Sequence, residues 1–471
     1  MKKFSAIGFT VSITVYAVMH YITYFYPTEA GQVMLSLSGI VAVVFTFIFL
    51  PYRALIIPSF LLVTAVIVHM VSGGSLATLL MDGIIKMRSL IALLLIVPII
   101  GWILHEERYI DSIMNVAHNF LNSSKKFYFG TMVVNQIIAY FLLFGAIPMM
   151  YQFISAFLGD KKSEAWEYFK GTALLRSFAL TTLWVISIPS FAFAVDHLHA
   201  SLGWTILQGF LISLAGIFLA VVYSSYKEKR YGVNYTSGIE DEIKKLVQKT
   251  GDSTNSKQLV VEFGLLFISL FSAIFITHIT MGWGLLIIVP PFIVIWTVAY
   301  YLLKKRPKQL TEQTKTYFMK DMRYKSQQFC LLLAAGMLIY AVNQSGIGNY
   351  LVDGLFYVEE AIPFLNFLLI LPLTIIILGF LGLGPLTVIV LVAGILQNVA
   401  LPYPPELVVL SMTSGSVISV LLSPFILPVI VLSASNGLSV VKNGLRFNLG
   451  YTVAFYFLVQ AYVQFIWYVI Y

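Results

Sequence analysis

The chain has 471 residues, 59% of them apolar and 11% charged, against roughly 45–50% and about 25% in soluble domains. That balance excludes a soluble enzyme, a nucleic-acid-binding protein and a disordered chain, and it points to an all-α polytopic membrane protein. The net charge of +8, from 29 Lys and Arg against 21 Asp and Glu, fits retention of basic residues in cytoplasmic loops.

Taking about 20 apolar residues per crossing, the runs predict on the order of fifteen spans. The first three are 4–25, 32–50 and 54–72. The first begins Met1-Lys2-Lys3 and is too long for a signal peptide, so it reads as a retained span. Span 4 is 88–104, and 105–126 has the helical spacing of an amphipathic surface helix (Ile110, Ile113, Met114, Val116, Ala117, Phe120, Leu121). Spans 5 and 6 are 127–145 and 146–159. Span 7, 173–195, is broken at Pro189, and span 8 is 203–224. The hydrophilic stretch 227–257 reads as a solvated linker. Spans 9 and 10 are 259–279 and 282–303, followed by a basic loop, 304–326. Span 11 is 327–343, and 345–358 is a second amphipathic stretch. Spans 12 and 13, 362–381 and 386–400, flank the Gly382-Leu383-Gly384-Pro385 turn. Span 14, 406–434, is broken at Ser423-Pro424 and again at Pro428, and span 15 is 448–469.

With a cytoplasmic N-terminus and an external C-terminus, nearly all Lys and Arg residues fall inside, as expected of a plasma-membrane protein. Only Lys86 and Arg88 fall outside, while Glu29, Asp353, Glu359, Glu360 and Glu406 mark the external loops. The single cysteine, Cys330, excludes an intramolecular disulfide and a Cys-clustered metal site.

Two stretches repeat one order of features: a span, an amphipathic stretch, a span, a Gly/Pro turn, a broken span and an unbroken span. FGAIPMMYQFISAFL at 144–158 answers LGLGPLTVIVLVAGIL at 381–396, and SIPSFAFAVDHLHASLG at 187–203 answers SPFILPVIVLSASNGLS at 423–439. The expected organisation is N-terminal spans 1–85, repeat 1 at 86–226, a linker at 227–258, two spans and a basic loop at 259–324, and repeat 2 at 325–471. An odd number of crossings per repeat makes the copies inverted, a layout that points to a secondary transporter with a midplane site. The spans outside the repeats would serve as scaffold or as a homodimer interface.

This layout resembles the ion transporter superfamily of dicarboxylate, citrate and arsenite carriers. The resemblance implies two inverted repeats, each with a re-entrant hairpin and a discontinuous helix, and a site where the breaks meet. The 381–400 segment is the main candidate for a re-entrant hairpin. The Ser-Asn-Thr signature of the dicarboxylate symporters is absent; the nearest text is Ser433-Ala434-Ser435-Asn436-Gly437.

A broken helix offers N–H groups to an anion and carbonyls to a cation. Ser187, Pro189, Ser190, Ser423, Pro424, Ser433, Ser435 and Asn436 lie at or near the breaks and are the candidate binding residues. Arg176 joins them, either pointing inward to an anion or snorkelling to the surface. Asp196, between the second break half and His197 and His199, reads either as a proton relay or as an external loop. Acids are almost absent from the spans, so sodium would be held by neutral oxygens. No cofactor is implied beyond a coupling ion, Na+ or H+. The absence of a phosphate loop, HExxH or GxSxG argues against an enzyme. The sequence reads as a secondary transporter of a small anionic solute, with membrane lipid and the solute as its partners; the alternative is a lipid or polyprenyl-lipid flippase.

Overall fold

A computed structural model describes residues 2–107, 109, 112–113, 116, 123–159, 161–247, 253–362 and 365–471. Among them, 11 helices are long and apolar enough to cross a bilayer and there is no strand. The protein is an all-α, multi-pass membrane protein.

Three helices come first: α1 (Lys2–Phe25), α2 (Glu29–Phe49) and α3 (Tyr52–Val71). The next crossing, Leu76–Leu104, starts earlier than the sequence pattern implied and is irregular. A π-turn (Leu79–Gly83) and a 3-10 turn (Ile84–Met87) precede α4 (Arg88–Ile96). Carbonyls freed by such turns need donors inside a membrane protein. Tyr16 Oη donates to Ile84 O at 2.6 Å and Ser36 Oγ to Met81 O at 2.8 Å. Of the surface helix expected at 105–126, Ile113 and Val116 are helical, whereas Ile110, Met114, Ala117, Phe120 and Leu121 lie outside the described residues.

Expected spans 5 and 6 form a hairpin of α5 (Ser124–Leu142) and α6 (Ala146–Leu158). The chain turns at Leu143, with φ of 52°. Phe127, early in α5, stacks on Phe157, late in α6, with centroids 5.5 Å apart. Next come α7 (Glu164–Thr181), a non-helical break at 182–188, α8 (Pro189–His197) and α9 (Leu202–Tyr231). Pro189 therefore opens α8, where its missing N–H costs nothing; the interruption lies before it.

The expected solvated linker is mostly helical: α10 (Tyr235–Val247) buries Tyr235 and Ile239, and Tyr235 Oη donates to Ala165 O at 2.7 Å. Two apolar residues on one face were enough to dock an otherwise hydrophilic segment. Then follow α11 (Ser253–Met281), α12 (Leu285–Leu303), α13 (Pro307–Thr316) in the expected basic loop, and α14 (Met322–Ser345). The second amphipathic stretch is α15 (Ile347–Ala361).

Spans 12 and 13 are corrected. They are α16 (Phe367–Phe380) and α17 (Pro385–Leu396), of 14 and 12 residues. At ~1.5 Å per residue they reach only about 21 and 18 Å, short of the ~30 Å hydrocarbon core. They form a hairpin tipped at Gly382, whose φ of 89° suits glycine. The last elements are α18 (Pro405–Leu422), a break at 423–426, α19 (Leu427–Asn436) and α20 (Phe447–Ile470). Pro428 lies in the first turn of α19, so there is one break here, not two.

The elements from α5 to α9 and from α16 to α20 thus follow one order. The first half of each broken helix, α7 and α18, is 18 residues long and almost wholly buried. These two cross each other at the centre, and each packs on its own hairpin. Their second halves change sides: α8 packs against α17, and α19 against α6. Glycines set the closest approaches. Gly209 of α9 lies directly on the Leu183 carbonyl of the first break, and a Cβ on Gly415 of α18 would stand 2.6 Å from Pro372 O of α16.

Candidate functional site

The breaks are where backbone polar groups lack helical partners. In the first, buried Ser187 donates through Oγ to Tyr140 O at 2.7 Å. In the second, buried Ser423 donates to Gly379 O at 3.2 Å. Tyr140 and Gly379 occupy the last turns of α5 and α16, the first arms of the two hairpins. Each break is therefore tied by one serine to the tip of its own hairpin. Ser190 is buried in the first turn of α8. Pro424 is half-buried in the second break, and the neighbouring Phe425 is 66% exposed.

Several buried polar atoms around these breaks have no hydrogen-bond partner among the described residues. They include Trp184 Nε1 in the first break, the Tyr140 hydroxyl and the hydroxyl of Ser419, one turn before the second break; further along α18 the Ser411 and Ser416 hydroxyls are likewise without partners among the described residues. Ser419 Oγ lies against Gly379. Unpartnered buried polar atoms are uncommon because each carries a desolvation cost.

Ser433, Ser435 and Asn436 are placed elsewhere, at the far end of α19. Ser435 bonds its own helix at Val431 O. Ser433 and Asn436 meet Asn443: Asn443 Nδ2 donates to Ser433 Oγ at 3.0 Å, and the Asn436 and Asn443 amides pair reciprocally at 2.8 and 2.9 Å. This cluster lies against Gly171 of α7, which leaves it room. It continues through Asn448, whose Nδ2 donates to Asn443 O at 2.8 Å, to Arg176.

Arg176 is fully buried and points inward. Its Nε donates to Asn448 Oδ1 at 2.9 Å, Nη1 to the Tyr128 hydroxyl at 3.3 Å, and Nη2 to the Tyr168 hydroxyl and Phe447 O, both at 3.1 Å. The Tyr451 ring lies 4.4 Å from its Cζ, a desolvated cation–π contact. Every one of these partners is neutral. The guanidinium pins α7 to α5 of its own series and to the start of α20 of the second series. The structure thus divides the sequence-derived residues into a break set (Ser187, Pro189, Ser190, Ser423, Pro424) and an arginine–amide network (Arg176, Ser433, Asn436). Asn443, Asn448 and the tyrosines were not anticipated. Asn448, a polar residue opening the last apolar span, was the available signal.

Asp196 is neither free nor in an open loop. Its two oxygens accept from the N–H groups of Leu285 and Leu286 at 2.9 and 2.8 Å. An acceptor of this kind satisfies the orphan donors at the start of α12 and complements its dipole. His197 donates Nδ1–H to Phe193 O at 3.1 Å and stacks on the Phe193 ring. His199 is exposed, with φ of 54°.

Two latches join the α5–α9 series to the α16–α20 series. Glu164, opening α7, meets Lys442, just before α20, at 2.6 Å. Glu406, in the first turn of α18, accepts from Ser201 N, the cap of α9, at 2.8 Å. The hydrogen bond from Lys442 holds the Glu164 carboxyl below the usual carboxylate range.

A polar cavity of about 440 Å³ opens between the irregular stretch 82–89, the ends of α8 and α17, and α14. Asp82, Lys86, Arg88, His197, Tyr340 and Gln397 are among its lining residues. No protein-family model and no curated protein matches the chain.

Proposed function

We propose that the protein is a secondary active transporter that moves a small anionic solute across the plasma membrane by coupling to sodium or protons. The observation that carries this reading is the matched pair of broken helices: each is tied by a serine to its hairpin tip, sends its second half against the other repeat, and borders buried polar atoms without partners. Such breaks supply N–H groups for an anion and carbonyls for a cation. On this reading the two series are inverted repeats, the N-terminus is cytoplasmic and the C-terminus external. The α16–α17 hairpin is re-entrant, since its helices of 14 and 12 residues fall short of the hydrocarbon core.

The test is uptake into proteoliposomes of labelled carboxylates, phosphate and sulfate under an imposed sodium or proton gradient. Gradient-driven accumulation of one anion, lost in a Ser187→Ala/Ser423→Ala double variant that still folds, is the expected result. Lipid scrambling with no gradient-driven uptake would overturn the proposal in favour of a flippase.

A further inference from the structure

We propose that the polar cavity is an anion-capture site in which Lys86 and Arg88 hold a small ligand bearing carboxylate or phosphate oxygens. The inference rests on the transport reading for its place on the solute's path, but the site itself stands on geometry.

Two cations here lack ionic partners. Neither Lys86 nor Arg88 has a carboxylate within ion-pair distance among the described residues. Lys86 Nζ lies over the Tyr340 ring, 5.7 Å from its centroid. Among the described residues that line the cavity Asp82 is the one acid, and it accepts from the Tyr340 hydroxyl at 3.2 Å. The lining therefore carries an excess positive charge that a bound anion would neutralise. Arg88 is half-buried, so its charge is not simply spread into water. Gln397, Ser89 and the Nε2 of His197 add neutral polar groups around the same space.

The backbone that carries the two cations is irregular and held so. Lys86 lies in the 3-10 turn and Arg88 begins α4, directly after the π-turn. The bonds from Tyr16 and Ser36 fix the freed carbonyls of that stretch. Turns of this kind recur at functional sites, where they re-aim side chains.

Helix C-termini attract positive charge through their free carbonyls, and the ends of α8 and α17 border this cavity. Several of their last carbonyls are engaged: Ala194 O by Leu198 N, Val195 O by Ala200 N, Ala393 O by Gln397 N, Gly394 O by Asn343 Nδ2 and Leu396 O by Val399 N. Placement also fits. The cavity touches α8, the second half of one broken helix, where it packs on α17, the second arm of the opposite hairpin. Lys86 and Arg88 are also the two basic residues that the charge-based topology leaves on the external side. At about 440 Å³ the cavity is of the size usual for small-molecule sites.

The experiment is thermal unfolding and calorimetric titration of the purified full chain with succinate, citrate and inorganic phosphate at constant ionic strength, with chloride as reference. The variants are Lys86→Gln, Arg88→Gln and the double. The expected result is saturable binding of at least one polyvalent anion, weakened about tenfold or more in each single variant and abolished in the double. Arg88→Cys provides a folding control, because a thiol-reactive ethylammonium reagent restores a positive charge there while Cys330 is buried; recovery of binding on labelling is expected. Equal affinity in wild type and double variant, no binding above chloride across the panel, or competition by phosphatidylglycerol vesicles but by no soluble anion would each overturn the site. Charge-dependent binding without gradient-driven uptake overturns the transport reading alone. Uptake with unchanged KM in the double variant overturns this site alone.

Discussion

Replacing Asn448 with leucine tests whether Arg176 binds the two repeats together. The substitution keeps the branched shape and heavy-atom count but removes the acceptor of Arg176 Nε, 2.9 Å away, and the donor to Asn443 O and Gly444 O. A hydrogen bond to a charged group contributes roughly 1.5–3 kcal/mol, and a stranded buried polar group costs roughly 1–3 kcal/mol. Asn448→Leu should therefore destabilise by about 3 kcal/mol. Arg176→Met removes four hydrogen bonds and the contact with Tyr451, but it also removes the burden of burying a charge, so its cost should be similar at about 2–4 kcal/mol. Once the guanidinium is gone, the leucine no longer leaves an unpartnered charge, and the double variant should be less destabilised than the sum by about 1.5–3 kcal/mol. The assay is reversible unfolding in mixed micelles titrated with a denaturing detergent and followed by tryptophan fluorescence. Additivity within about 0.5 kcal/mol would refute the assignment of Arg176 as the cross-repeat tie.

Gly415→Ala should be among the most damaging single-methyl changes, at about 3 kcal/mol, because the new Cβ would stand 2.6 Å from the Pro372 carbonyl, which belongs to backbone and cannot rotate away; a normal melting temperature would contradict the close packing of α18 on α16. Asp196→Asn leaves one good acceptor for the two N–H groups of α12 and should cost about 1 kcal/mol, read as a lowered melting temperature; no change would remove Asp196 as a cap. Because Lys442 depresses the Glu164 pKa, their latch contributes stability above the unfolded-state pKa of Glu164. That contribution is lost as pH falls through the lower folded-state value. The acid limb of the stability profile should therefore be shallower in Lys442→Gln, and identical profiles would show that the pair is inert.

Apolar helices and the neighbourhood of the breaks were legible because each rests on local composition. A long apolar run, a glycine at positive φ and a proline in a first turn announce themselves whatever surrounds them. Length alone distinguishes the short α16 and α17 from true crossings, but the sequence does not separate a short run from one extended by tolerated polar residues. The candidate site was only partly legible. Ser187 and Ser423 were singled out for their place at the breaks, yet their partners, Tyr140 O and Gly379 O, are backbone groups far off in the chain that no side-chain pattern reveals. Ser433 and Asn436 were grouped with the breaks by proximity in sequence, whereas helix α19 carries them about 9 Å or more away along its axis, to Asn443. The expected alternatives for Arg176 were an anion or the surface. Neither foresaw a cage of neutral tyrosines, because aromatic residues in so apolar a chain are too common to stand out.

The two central half-helices also bear on whether the halves of the protein are interchangeable. Both have 18 residues, and the position in α18 that matches Arg176 in α7 is Val417. One half-helix carries a guanidinium that reaches α5 and the start of α20, and the other carries hydroxyls without partners among the described residues, Ser411, Ser416 and Ser419. Two copies of the first half would bury guanidiniums without the Asn448 and Phe447 acceptors of α20, and two copies of the second would bury those acceptors without a guanidinium. Expressed as separate polypeptides, the halves are accordingly expected to select each other over themselves, so that a single buried cation makes an otherwise duplicated architecture obligately heterodimeric.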